Sequence, residues 1–249
     1  MRGQALAPHG VRTRDPLWIV GGAFLGLLCL STLLEADLRF SSHFYDPTAA
    51  APWVFKHAIP WRWLYTYGEW PGWLLALAAV TVWLGSRWRR PWIGHRRACA
   101  LLVLAVAFGP GLVVNGVVKS LWGRPRPAQS DVFGGPRPYR QWWQPGAMGG
   151  GRSLPSGHAA MGYILVVGVY LVPRSRPTWQ RWLPLGGALA YGSLLGVTRI
   201  VQGGHFVSDV LWSGALMCFT AATLQILLQV TVPADAPGQA PVVETIIPS

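Results

Sequence analysis

Nearly unbroken apolar runs occur near residues 17 to 34, 72 to 85, 98 to 118, 157 to 172, 183 to 199 and 206 to 230, separated by polar or aromatic-rich stretches. Runs of this kind predict six helices. Crossing about 30 Å of hydrocarbon takes roughly 20 helical residues. The first, third and sixth runs reach that length or nearly so. The second is short, and Trp70, Trp73 and Trp83 at its flanks read as interfacial anchors; the fourth and fifth lie near the lower limit. The pattern predicts an all-α integral membrane bundle of six transmembrane helices over residues 17–230. A basic amino-terminal segment, 1–16, precedes it. A Pro-rich, non-basic tail, 231–249, follows and is expected to be disordered.

The first run, "LWIVGGAFLGLLCLSTLL", follows Arg2, Arg12 and Arg14, as the apolar part of a signal peptide would. No small-x-small cleavage pattern follows it, so it is expected to stay as a helix. Segment 36–71 is too polar to span and rich in aromatics, which predicts an interfacial helix or cap over one face, an ordinary aromatic loop being the alternative. Segment 119–155 is a second long polar loop, and its glycines and prolines preclude a long regular element. Its Arg137, Tyr139, Arg140, Trp142 and Trp143 offer cations and flat rings suited to a headgroup clamp, or to plain interfacial contact.

Composition agrees with the pattern: 51% of the residues are hydrophobic, 12% are charged, and mean hydropathy is +0.32. The net charge of +12 does not point to nucleic acid, because the cations sit in short loops between apolar runs rather than along a stripe. Five arginines lie in "SRWRRPWIGHRRA" and three in "PRSRPTWQRW". With the basic amino terminus, these dense loops predict a cytoplasmic side, so both termini are cytoplasmic and the opposite loops periplasmic. Raw counts of Lys and Arg are almost equal on the two sides; loop density decides. Cys29, Cys99 and Cys218 each fall within an apolar run without paired spacing, and read as small buried hydrophobes.

The polar residues that a membrane bundle avoids collect at the predicted outer ends of the helices, in "KSLWGRPRP" (119–127), "PSGH" (155–158) and "TRIVQGGHFVSD" (198–209). Lys119, Arg126 and Arg199 supply the charge and forked hydrogen bonds that a phosphate takes. Ser156, Gly157 and His158 begin a helical run, where free backbone N–H groups favour anions and glycine permits close approach. His205 and Asp209 are four residues apart, which suits a carboxylate holding an imidazole so that its other nitrogen attacks phosphorus. His158 is then suited to protonate the departing alkoxide. Taken singly, each has a plainer reading: a structural His–Asp pair, a snorkelling lysine, a loop arginine. Arg124 and Arg152 divide evenly between phosphate contacts and headgroup anchors.

Lys119 followed after six residues by Arg126-Pro127, then Pro155-Ser156-Gly157-His158, then Arg199, His205 and Asp209, resemble the three signature motifs of the type 2 phosphatidic acid phosphatase superfamily. The match covers about residues 98 to 230. The resemblance implies that Lys119, Arg126, Ser156, Gly157 and Arg199 hold the phosphate. It implies further that His205 is transiently phosphorylated, that Asp209 orients it and that His158 is the general acid, with no metal and no cofactor. Thr198 stands where the family usually has serine; the hydroxyl survives, so little loss is expected despite the added methyl.

The expected activity is metal-independent hydrolysis of a phosphomonoester or diphosphate on a membrane lipid, at the periplasmic face of a bacterial inner membrane. The expected partner is the phosphorylated lipid itself: polyprenyl diphosphate, phosphatidylglycerol phosphate, phosphatidate or lipid A. The Gly-rich, FGG-containing loop has some likeness to lipid A phosphatases of that superfamily. A phosphotransferase using the same phosphohistidine is the alternative within the enzyme class. A channel or transporter predicts polar residues spread through the helices, and haem binding by a His158 and His205 pair predicts a visible absorbance spectrum.

Overall fold

A computed structural model describes residues 15–173 and 175–230. The expectations for the basic terminus 1–16 and the tail 231–249 fall outside these residues, apart from residues 15 and 16. Among the described residues all regular structure is helical, with isolated bridges at Tyr45 to Trp53 and Ser130 to Arg137.

Helix α1, Pro16–Leu33, starts where Asp15 caps it: the Leu17 N–H donates to the Asp15 carboxylate at 2.9 Å, and Pro16 occupies a first-turn position that needs no donor. Short helices α2, Ala36–Ser42, and α3, Trp61–Tyr67, follow. Then come α4, Trp70–Gly85, and α5, Arg96–Val106. The chain next widens into a π-helical stretch, Ala107–Val118, and tightens again in α6, Lys119–Trp122. Helix α7, Gly157–Tyr163, continues as 3₁₀ turns over Ile164–Tyr170; α8, Thr178–Val201, and α9, Val207–Leu228, complete the bundle. The six apolar runs therefore coincide with six helical rods. Among the described residues three stretches are long and apolar enough to cross a bilayer: Pro16–Leu33, Arg90–Gln129 and Val207–Leu228.

Small residues set the closest crossings, as membrane interiors require. Helix α1 lies along α9; a Cβ at Gly21 would stand 2.5 Å from the Phe219 ring, and one at Gly214 would stand 2.4 Å from the Phe24 ring. Helices α7 and α8 meet where a Cβ at Gly162 would stand 2.6 Å from the Gly192 Cα. Facing outward, Ile19, Leu27, Leu30, Leu33, Leu74 and Leu77 are exposed, an apolar coat that lipid covers and water does not. Cys99 and Cys218 are buried as expected. Cys29 is not: it is exposed on α1, because in an all-apolar run the lipid-facing and core-facing positions carry the same residue types.

The bundle has two distinct ends. Glu69 before α4 touches His158 at the start of α7, and Thr32 near the end of α1 touches Trp142 of the 119–155 loop. At the other end Asp15 accepts from the Tyr170 hydroxyl at 2.7 Å. The Arg-rich loop 87–97 also lies at that other end, since the 16 residues of α4 carry the chain there, about 24 Å at 1.5 Å per residue.

Candidate active site

The three polar clusters are stitched together by backbone hydrogen bonds. The Ala128 N–H donates to the Gly203 carbonyl at 3.0 Å, and the Ser156 N–H donates to the Asp209 carbonyl at 3.2 Å. The Ser213 hydroxyl bonds the Ser156 carbonyl at 2.9 Å. Segments far apart in sequence thus share one floor at one end of the bundle.

Lys119, Arg126, Arg152 and Arg199 are electrostatic neighbours there: Lys119 is coupled to each of the three arginines, and Arg199 to Arg126. Lys119 and Arg199 are buried, at 8% exposure each. Among the described residues none of the four forms a salt bridge; Asp209 and Glu69 act on Lys119 and Arg199 only from beyond contact distance. Arg199 Nη1 donates to Gln202 Oε1 at 2.6 Å, while its Nε is buried with no partner. An orphaned buried guanidinium donor requires an acceptor, and a phosphate oxygen supplies one.

Lys119 is aimed by a residue that the sequence did not mark. Asn115 donates from Nδ2 to the Pro110 carbonyl at 2.7 Å, and its Oδ1 accepts from Lys119 Nζ at 3.0 Å. The π-helical widening makes this possible, because Pro110 sits inside it and its carbonyl is met by a side chain five residues on. A Cβ at Gly157 would lie 3.3 Å from Lys119 Nζ, which places that glycine against the lysine. Ser156 caps α7, its hydroxyl oxygen accepting from the Ala159 N–H at 3.4 Å. Thr198 turns its hydroxyl to the Leu194 carbonyl at 2.9 Å, so the threonine here serves the helix backbone.

The Arg199 guanidinium rests on Gly204, where a Cβ would stand 2.4 Å from Nη2. Gly204→Ala is expected to push the guanidinium aside and lower phosphatase activity by at least about 10-fold, the loss of one charge-assisted contact of about 1.5–3 kcal/mol. Steady-state rates with a lipid phosphate, set beside elution as folded protein, check it.

His205 and Asp209 meet differently from the expected helical face. Helix α9 begins at Val207, so His205 precedes it and the carboxylate turns back toward the helix start. Asp209 Oδ2 accepts from the Phe206 N–H at 2.8 Å and from the Ser153 hydroxyl at 2.5 Å; His205 Nδ1 stands 3.6 Å away from it. That is a loose contact rather than a hydrogen bond. His205 Nε2 has no hydrogen-bond partner among the described residues. Burial pulls the imidazole well below its ordinary pKa, opposed in part by Asp209. A neutral ring with a free nitrogen is a nucleophile.

Asp209 is itself held from beneath by Arg124, which is fully buried. Arg124 Nη1 reaches Asp209 Oδ1 at 2.6 Å and the Ser208 hydroxyl at 2.7 Å; Nη2 reaches Asp37 Oδ2 at 2.8 Å; Nε donates to the Arg140 carbonyl at 2.9 Å. Asp37 closes the network by accepting from the Ser208 N–H at 2.8 Å. Arg124 therefore lies behind the His205–Asp209 pair with each of its guanidinium nitrogens engaged by protein acceptors, an arrangement that neither role read for it from sequence describes.

Segment 36–71 contributes residues to the other wall. The His158 ring stacks on Tyr65, with centroids 4.9 Å apart and planes at 12°, and the Arg199 guanidinium lies 4.5 Å from the same Tyr65 ring. In the 119–155 loop, Trp142 donates from its indole to the Thr32 hydroxyl at 2.8 Å, and its carbonyl accepts from the Trp122 indole at 2.8 Å. That part of the loop is pinned inward, while Trp143 stays exposed. Among the described residues no three His, Cys, Asp or Glu side chains are grouped so as to hold a metal.

The model of the PAP2 superfamily matches residues 97–231, a stretch that contains every residue of the three clusters. The chain belongs to the PAP2 superfamily. It is 28% identical over 180 residues to a lipid A 4'-phosphatase of Francisella tularensis subsp. novicida, covering 72% of this chain and 79% of that protein. Lipid A 4'-phosphatases of Rhizobium etli and Rhizobium leguminosarum are 34% and 35% identical over 123 and 119 residues. Those matches cover 47% and 45% of this chain, and 45% and 48% of the relatives, so the chain aligns with about half of each. No solved structure matches. The cap segment that supplies Asp37, Tyr65 and Glu69 lies outside the PAP2 match.

Proposed function

We propose that this membrane lipid phosphatase removes a phosphate from lipid A at the periplasmic face of a bacterial inner membrane, through a phosphohistidine on His205. The observation that carries the reading is the set of unpaired cations, Lys119, Arg126 and Arg199, gathered around a neutral imidazole backed by a buried carboxylate. The cations neutralise the phosphate, Nε2 of His205 attacks phosphorus, and His158 protonates the departing sugar oxygen. Water then opens the phosphoenzyme with His158 as base. The names of the three relatives favour lipid A among the candidate lipids.

Phosphate release by the detergent-solubilised protein, with EDTA present, from lipid A, phosphatidylglycerol phosphate, phosphatidate and polyprenyl diphosphate tests this. Lipid A is expected to be the fastest, with no effect of EDTA. A faster rate on another lipid would reassign the substrate, and transfer that requires an added acceptor would replace hydrolysis by phosphotransfer.

The six rods are proposed to be six spans forming one domain over 17–230, with both termini cytoplasmic. The support is the gathering of the polar clusters at one end of the rods, with the Arg-rich loop 87–97 at the end away from the site. A cysteine placed at the exposed Met148, in a chain lacking Cys29, Cys99 and Cys218, is expected to react with a membrane-impermeant thiol reagent admitted to the periplasm. Labelling only after the inner membrane is breached would invert the topology.

A further inference from the structure

The acid histidine is held by residues outside the three motifs. His158 Nδ1 lies 3.1 Å from Glu69 Oε1, and its Nε2 lies 3.1 Å from the Tyr65 carbonyl oxygen. A neutral imidazole has one donor and one acceptor nitrogen. Here both nitrogens face acceptors, so only the doubly protonated ring satisfies both contacts. Burial disfavours the charged ring most, and Arg199 of α8 and Lys119 of α6, which face it, add to that; Glu69, at the foot of α4, and the Tyr65 carbonyl are the groups that oppose them. The doubly protonated ring is the form that a general acid must have before the leaving group departs.

We propose that Glu69 is a positioning residue that keeps His158 loaded and aimed, with the Tyr65 carbonyl holding the proton-bearing nitrogen until the leaving oxygen takes its place. The site then contains two carboxylate–histidine pairs, one for the nucleophile and one for the acid, and the second comes from the cap. The proposal rests on the reading of His158 as the acid. As His205 Nε2 bonds to phosphorus, the bond from phosphorus to the lipid oxygen breaks, and that oxygen takes the proton from His158 Nε2. The products are the lipid alcohol, phosphohistidine and a neutral His158; Glu69 keeps its charge and takes no proton. Neutral His158 then accepts a proton from the attacking water, which restores the starting form.

A general acid matters for a poor leaving group and little for one that departs as a stable anion. Glu69→Gln preserves the shape and removes the charge. The single-turnover burst of leaving-group release is measured for lipid A and for p-nitrophenyl phosphate. The lipid A burst is expected to slow about 10–100-fold, below the full general-acid contribution of about 10²–10⁴, with the p-nitrophenyl phosphate burst nearly unchanged. Equal loss on both substrates by a folded variant, or loss on neither, overturns the role of Glu69. Where Glu69→Gln does not elute as folded protein, Glu69→Asp, with the charge kept and the reach shortened, is expected to show the same split at smaller size. His158→Ala in parallel separates the two readings. A selective lipid A defect there without one at Glu69 overturns the Glu69 proposal alone, whereas equal loss on both substrates at His158→Ala overturns the acid role itself.

Discussion

Replacing Arg124 by alanine is expected to destabilise the protein by about 3–5 kcal/mol and to abolish its phosphatase activity. The guanidinium is fully buried and neutralises two carboxylates at once, Asp37 at 2.8 Å and Asp209 at 2.6 Å. Removing one partner of a buried pair leaves an uncompensated charge, which costs that amount; here two charges are left. The Ser208 hydroxyl and the Arg140 carbonyl also lose their donor. Asp209 would then take a proton or turn away, and His205 would lose its backing. Arg124→Lys restores one charge without the planar fork, so it is expected to recover part of the stability and little of the activity. Denaturation midpoints in detergent, read beside rates on a lipid phosphate, check both variants. An Arg124→Ala protein with wild-type stability and activity would show that the network is dispensable.

His205→Ala is expected to lower activity on the order of 10⁴-fold or more while changing stability by no more than about 1–2 kcal/mol. The contrast with Arg124 follows from the contacts. His205 Nδ1 makes only the loose 3.6 Å approach to Asp209, and Asp209 stays anchored without it by Arg124, Ser153 and the Phe206 N–H. Asp209→Asn, by comparison, is expected to lose both activity and stability, since it breaks the Arg124 pair.

The clusters that the structure brings to one end of the bundle were legible in the sequence because their spacing is local: Lys119 to Arg126, Ser156 to His158, Arg199 to Asp209. The six rods were legible for the same reason, each being one continuous apolar run. What holds those groups was not. Arg124 meets Asp37 across 87 residues and Asp209 across 85, and a pairing over such distances leaves no periodic mark on either partner. Glu69 and Tyr65 belong to a segment read only as a cap or an aromatic loop, and nothing in its aromatic pattern distinguishes a residue stacked on His158 from one set at the headgroup level. Asn115 lies in an apolar run whose single polar side chain reads as a helix-interior exception. Its use depends on the π-helical register that puts it opposite the Pro110 carbonyl.

A covalent phosphate on His205 is the central claim, and trapping it tests that claim most directly. The solubilised protein is mixed with lipid A carrying labelled phosphate, quenched in alkali within the first turnover, digested and mapped by mass spectrometry. The account predicts alkali-stable, acid-labile label on the peptide that contains His205, with none in His205→Ala. Product release in the first turnover with no label on the protein, or with the label on His158, would contradict it.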